Sequence, residues 1–139
     1  MNKVKPELLV RLAKDLIGAR YNREEHHVVV AAVLLTKAGN VYQALNTSTY
    51  QSSLSTCAEV IAIGLAHTAE PDMEIDTIVA AMGDDPYVVA PCGQCREYIA
   101  DYGSKAKVLM PAKNKRGWTP IEISKLLPMK FRKRECTCK

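Results

Sequence analysis

Thr56-Cys57-Ala58-Glu59, followed later by Pro91-Cys92-Gly93-Gln94-Cys95-Arg96, is the pair of stretches from which the rest of this chain can be read. A C-x-E followed by P-C-x-x-C supplies three soft thiolates for a tetrahedral metal and leaves the fourth position open for water, as hydrolytic zinc sites do. Structural zinc sites usually close with a fourth Cys or His. Each half also has an ordinary reading. Thr56-x-x-Glu59 is a capping box, in which Glu59 reaches back to the N-cap amide ahead of the apolar run Val60, Ile61, Ile63 and Leu65. Cys92-x-x-Cys95 suits a redox pair or half of a zinc ribbon, although no second C-x-x-C is present to complete a ribbon. The conjunction favours a catalytic zinc. Cys57 opens one helix, Cys92 and Cys95 open another, and helix N-termini stabilise anions such as thiolates.

Outward from these motifs the chain alternates between helical and strand patterns. The spacing predicts helices from Cys57 to about His67 and from Cys92 to about Tyr102, the second with Pro91 at its start. Between them Ile75 to Met82 reads as a strand, which Gly83-Asp84-Asp85-Pro86 breaks. Upstream, Val28 to Leu35 is apolar, rich in β-branched residues and nearly continuous, as in a strand covered on both faces. Lys37-Ala38-Gly39-Asn40 turns it into a second strand, Val41 to Leu45. The polar stretch from Asn46 to Ser55 is a loop. Leu8, Leu9, Leu12, Ala13, Leu16 and Ile17 fall at helical spacing after Pro6, and Gly18 can end that helix. Downstream, Lys107 to Met110 is a strand, and Thr119-Pro120-Ile121-Glu122 reads as a second capping box opening a short helix that ends before Pro128. The expected order is αββαβαβα, an α/β fold of three layers, α-β-α, around a mixed central sheet.

Composition agrees with a small enzyme. At 139 residues and 47% hydrophobic the chain can bury one core, so residues 1–139 are expected to form a single domain, with a basic C-terminal tail from about residue 132. No apolar stretch is long enough to cross a bilayer, and the opening Met1-Asn2-Lys3-Val4-Lys5-Pro6-Glu7 lacks the apolar region of a signal peptide, so a cytoplasmic location is expected. Five cysteines, three of them in metal-like motifs, suit a reducing compartment better than a disulfide framework. Cys136 and Cys138 form a C-x-C in the tail, where they could hold a stray metal or oxidise between molecules, and neither role is expected in the cell. The net charge is +4, but its excess sits in Lys130, Arg132, Lys133, Arg134 and Lys139 rather than along a face, so nucleic acid is an unlikely partner.

The paired motifs match the zinc deaminase signature, H-x-E with P-C-x-x-C, in its three-cysteine variant, with Cys57 where some members carry His. With its short length, the chain resembles the homotetrameric branch of the cytidine deaminase family, which includes the blasticidin S deaminases. The resemblance runs from about His26 to Phe131, through Val28-Val29-Val30-Ala31-Ala32, Asn46, both zinc motifs and Leu126-Leu127-Pro128-x-x-Phe131. It implies Zn²⁺ on Cys57, Cys92 and Cys95, a homotetramer, and a cytosine nucleoside as substrate. In this reading Glu59 is a proton shuttle rather than a ligand, serving the attacking water, the ring nitrogen and the departing ammonia. Three thiolates leave a net negative charge, which the helix N-termini can offset in part. Arg96 could donate to a thiolate, as the family's arginine does, or be a solvated helix arginine.

Substrate contacts implied by the resemblance are Asn46, Ser48, Tyr50, Ala58 and Phe131. Family members hold the ribose with an Asn-x-Glu pair. Asn46 stands at the matching place and is otherwise a turn residue, but the glutamate's place is Ser48, a shorter and neutral partner suited to weaker, water-bridged or altered sugar recognition. Val30 replaces a usual glycine and His27 a usual phenylalanine; His26 and His27 are read as structural or pocket-lining rather than metal ligands. Phe131 resembles the aromatic that covers the base, often in a neighbouring subunit's site, or is a core residue of the C-terminal segment. Tyr50 packs on substrate or plugs the core. Two other functions remain open: a base-editing deaminase acting on RNA or single-stranded DNA, marked by salt-sensitive oligonucleotide binding, and a non-catalytic structural zinc or redox module in which Glu59 only caps a helix.

Overall fold

A computed structural model describes residues 4–20 and 29–131. Helix α1 (Pro6–Arg20) precedes the hairpin β1 (Val30–Thr36) and β2 (Val41–Leu45), a single 3₁₀ turn (Ser52–Leu54) and α2 (Ala58–Ala69). Then come β3 (Ile75–Met82), β4 (Tyr87–Val89), α3 (Gly93–Tyr102), β5 (Lys107–Pro111), β6 (Trp118–Glu122) and α4 (Ile123–Leu126). The strands form one sheet in the order β2-β1-β3-β5-β6, with β4 paired to β3. β3 and β5 run parallel and the other pairs antiparallel, so the sheet is mixed.

The continuous apolar run of β1 has the cause its sequence suggests. Strand residues alternate between faces, and both faces here are covered. Ala31, Val33 and Leu35 meet Leu9, Val10, Ala13 and Ile17 of α1. Ala32 and Leu34 meet Ala58, Ala62, Ile63 and Ala66 of α2, with Ile99 of α3 in the same cluster. The three layers are therefore α1, the sheet, and α2 with α3.

Two elements differ from the sequence reading. Residues 87–89, which follow the Gly83-Asp84-Asp85-Pro86 turn and are not read as a strand from sequence, form β4, which pairs with Ala80–Met82 while β5 pairs with Thr77 and Ile78 on the same side of β3. The stretch Thr119-Pro120-Ile121-Glu122 is not a capping box but part of β6, antiparallel to β5 from Lys107↔Glu122 to Pro111↔Trp118. Pro120 is compatible with a strand there because β6 ends the sheet, where a missing N–H costs no ladder bond on the open side. Trp118, 5% exposed, anchors the strand in the core against α1. The helix that follows is four residues long, and its N-cap, Glu122, makes no side-chain cap. Helix α1 continues past Gly18 to Arg20. His26, His27, Cys136 and Cys138 lie outside the described residues.

Candidate active site

Both cysteine motifs lie at helix starts, where the backbone N–H groups lack intrahelical partners. Cys57 is the N-cap of α2, in extended conformation and without a side-chain cap bond. The Thr56-x-x-Glu59 box is therefore not formed. Thr56 is instead held in a two-way backbone bridge with Thr47, at 3.1 and 3.0 Å, which leaves Glu59 available within the first turn. Cys92 is the N-cap of α3, and its sulfur accepts from the Cys95 N–H at 3.5 Å.

These two helix starts bring three sulfurs together. The Sγ atoms of Cys57, Cys92 and Cys95 all lie within 4.8 Å of one another, and Cys57 and Cys92 are 3.9 Å apart. Burial pushes the Cys57 thiol up, and the neighbouring Cys92 adds to the effect. Burial also pushes Cys95 far up, reinforced by the charge of Glu59. At Cys92 burial acts upward as well, but hydrogen bonds from the Cys95 N–H and the two other thiols outweigh it and leave the group below its ordinary value. Three crowded sulfurs whose charges repel one another fit a soft divalent cation, which would stabilise all three as thiolates. The cluster can hold a metal ion.

Glu59 is 5% exposed. Burial raises its carboxyl, partly offset by its own backbone N–H and by the Cys95 thiol, both of which hydrogen-bond to it. A cavity of about 280 Å³ opens over this group. Cys57, Ala58, Glu59 and Cys92 contribute to its lining, Val30, Met82, Val89 and Ala90 give it an apolar wall, and Asn46, Thr47, Ser55 and Thr56 give it a polar side. β4 thus supplies one wall.

Asn46 is fixed at this polar side. Its Oδ1 accepts from the Val30 N–H at 2.7 Å, its own N–H donates to the Val30 carbonyl at 2.9 Å, and its Nδ2 donates to the Ser48 hydroxyl at 3.2 Å. Of the residues singled out in the sequence, the structure therefore brings together Cys57, Cys92, Cys95, Glu59, Ala58 and Asn46, with Ser48 tied to Asn46. Tyr50 is fully exposed in the loop before the 3₁₀ turn, Phe131 is 76% exposed, and neither lines the cavity. The hydrogen bonds of Arg96 run to backbone rather than to a thiolate: Nε to the Pro91 carbonyl at 3.0 Å and Nη1 to the Leu126 carbonyl at 3.1 Å. Thr47, Ser55, Thr56, Met82, Val89 and Ala90 were not anticipated at the site. The Thr47–Thr56 bridge that gathers the polar side joins residues of one sequence loop, which carries no periodic signal.

Three clustered thiols, two of them facing the cavity beside a buried carboxyl at the starts of two helices packed on a mixed sheet, have the anatomy of a metal-dependent hydrolase. Comparison with known proteins narrows the class. Residues 3–110 match the family described as the cytidine and deoxycytidylate deaminase zinc-binding region. A blasticidin-S deaminase of Bacillus cereus is 37% identical over 132 residues, covering 88% of this chain and 89% of that one. A cytidine deaminase of Sporosarcina psychrophila is 28% identical over 106 residues, 76% of each chain. Among solved structures, cytidine deaminases from Mycobacterium tuberculosis and Burkholderia pseudomallei share the fold, with TM-scores of 0.76 and 0.75 at 22% and 24% identity. They span 93% and 92% of this chain and 98% and 100% of theirs. The chain belongs to the cytidine and deoxycytidylate deaminase family.

Proposed function

We propose that this protein is a zinc-dependent hydrolase that converts the exocyclic amine of a cytosine nucleoside to a carbonyl and releases ammonia. The observation that carries this reading is the buried Glu59 carboxyl, in hydrogen-bond contact with a three-thiol cluster and open to a cavity sized for one small ligand. Cys57, Cys92 and Cys95 would hold the zinc, which would supply a water acidified toward neutrality. The residues do the rest. Glu59, whose carboxyl is raised above its ordinary value by burial, takes the proton of the attacking water. It then delivers that proton to the ring nitrogen, and carries the second proton, from the new hydroxyl, to the departing amine, which leaves as ammonia. The starts of α2 and α3 offset the charge of the thiolates. Val30, Met82 and Val89 provide an apolar wall for a flat base, with Ala58 beside the acid.

Asn46 and Ser48 are assigned to the sugar. With its Oδ1 accepting from the Val30 N–H, Asn46 faces Ser48 through its Nδ2, and Ser48 stands where the family's pair has a glutamate. The pair suits a plain ribose less than an Asn–Glu pair would, and the 37% identical relative favours an aminoacylnucleoside of the blasticidin S type over cytidine or deoxycytidine. In that case the enzyme is a detoxifying deaminase conferring antibiotic resistance. We assign the working form as a cytoplasmic homotetramer, in which Phe131 of one copy covers the base in another and Tyr50 closes on the substrate. Among the described residues no helix is long and apolar enough to cross a membrane.

The test is ammonia release by zinc-loaded protein with cytidine, deoxycytidine, free cytosine and blasticidin S at matched concentrations. Turnover of blasticidin S alone supports the detoxifying role, and turnover of cytidine places the enzyme in pyrimidine salvage. Silence on all four contradicts the reading.

A further inference from the structure

The segment after α4 doubles back along α3. Arg96, next in sequence to Cys95, reaches two backbone carbonyls at once, Pro91 through Nε and Leu126 through Nη1. One guanidinium therefore grips the residue immediately before Cys92 and the last residue of α4, a two-point donation for which its planar fork is suited and a lysine's ammonium is not. Further along the same helix, Lys130 Nζ sits between Glu97 at 2.8 Å and Asp101 at 2.9 Å, which are one turn apart. Its side chain is 17% exposed although those of its partners are 42% and 66% exposed, so it is more enclosed than an ordinary surface ion pair. Between the two attachments Met129 adopts φ 58°, a left-handed conformation that costs a non-glycine residue energy and persists only where the surroundings hold it. A second cavity, of about 310 Å³, lies against Ala100 and Ser104 on one side and Leu127, Pro128 and Lys130 on the other. Leu126 packs against the core at the start of the segment, and beyond it the ion pairs of Lys130 tie the segment to α3.

We propose that residues 126–131 form a strap over α3, with Arg96 and Lys130 as positioning residues that fix the Pro91 carbonyl, and through it the placement of Cys92 and Cys95, from outside the cavity. The inference rests on reading the three thiols as a metal site, and its test separates the two. Zinc-loaded wild type, Arg96→Gln, Arg96→Lys, Lys130→Gln and the Arg96→Gln/Lys130→Gln double variant are compared by the rate of zinc loss to a chelator and by kcat and KM on the best cytosine nucleoside. Arg96→Gln is expected to lose zinc on the order of tenfold faster and to lower kcat with KM little changed. Lysine does not rescue, because one ammonium cannot hold both carbonyls. Lys130→Gln shows the same pattern in smaller measure, and the double variant is no worse than Arg96→Gln, since both substitutions release one strap. Zinc retention and kcat at wild-type values in both single variants, or effects that simply multiply in the double variant, overturn the proposal. Should Arg96→Gln fail to fold, Lys130→Gln decides by the same two readouts. If no nucleoside is turned over, zinc loss still tests the strap while the deaminase reading falls.

Discussion

Glu59 has almost no access to water, and burial holds its carboxyl above the usual range while the Cys95 thiol donates to it. A carboxylate so placed costs stability, and buried groups with shifted pKa values concentrate at functional sites. Replacing it with glutamine keeps shape and volume but removes proton transfer. Glu59→Gln should lower kcat by roughly 10²-fold or more at unchanged zinc content, measured by metal analysis beside ammonia release; activity near wild type would remove Glu59 from the chemistry. The cysteines and Glu59 were legible in the sequence because their side-chain types are chemically distinctive and their spacing fixes them at helix starts. The residues that complete the cavity were not. Thr47, Ser55 and Val89 are common residues whose relevance depends on a bridge between Thr47 and Thr56 and on β4 pairing with β3.

At the level of elements, two connections carry measurable weight. Helix α3 ends at Gly103, where an added Cβ would lie 2.8 Å from the Ile75 carbonyl oxygen and 2.9 Å from the Ile75 Cβ at the start of β3. Gly103→Ala should therefore destabilise by about 1–3 kcal/mol in urea unfolding, and no loss would mean that the two segments separate easily there. At the same end of β1, the Glu70 carboxylate after α2 accepts from Asn40 at 2.7 Å, Tyr42 at 2.8 Å and Thr36 at 3.3 Å, fastening the helix to the hairpin. The Asn40 bond is foremost in holding Glu70 below its ordinary range, with Tyr42 and Thr36 assisting against partial desolvation. Because its folded pKa is depressed, Glu70 stabilises the fold above the unfolded carboxylate range, and that contribution is lost as pH falls through the folded value. The stability gap between wild type and Glu70→Gln should thus narrow on acidification through that window; a gap independent of pH would contradict the role. Strand β6 shows why this end of the chain misled a reader of sequence. Thr-Pro-Ile-Glu satisfies the local grammar of a helix start, but pairing along β5 and the burial of Trp118 outweigh it. Tertiary contacts override a weak local preference.

For the whole molecule, the site joins elements far apart in the chain, with α2 and α3 each placing a cysteine-bearing start over the same end of the sheet. A metal held there cross-links them, and a ligand that binds only the folded state stabilises it by mass action. Chelation of the zinc-loaded protein should lower its thermal midpoint, and re-addition of zinc should restore it; an unchanged midpoint would argue against a resident metal. The layered α/β architecture was legible because β1 is apolar on both faces and Pro6 and Pro91 mark the starts of α1 and α3, whereas assembly is not encoded in any single chain's periodicity. Phe131 and Tyr50 are exposed, and the proposed homotetramer is what assigns Phe131 to a neighbouring copy's substrate. The central claim, that these thiols and Glu59 form a hydrolytic deaminase site, is tested most directly by ammonia release from blasticidin S and cytidine, with wild type and Glu59→Gln compared at equal zinc occupancy. The account predicts turnover of at least one nucleoside by wild type and none above background by the variant; ammonia from neither substrate, or equal rates from both proteins, would contradict it.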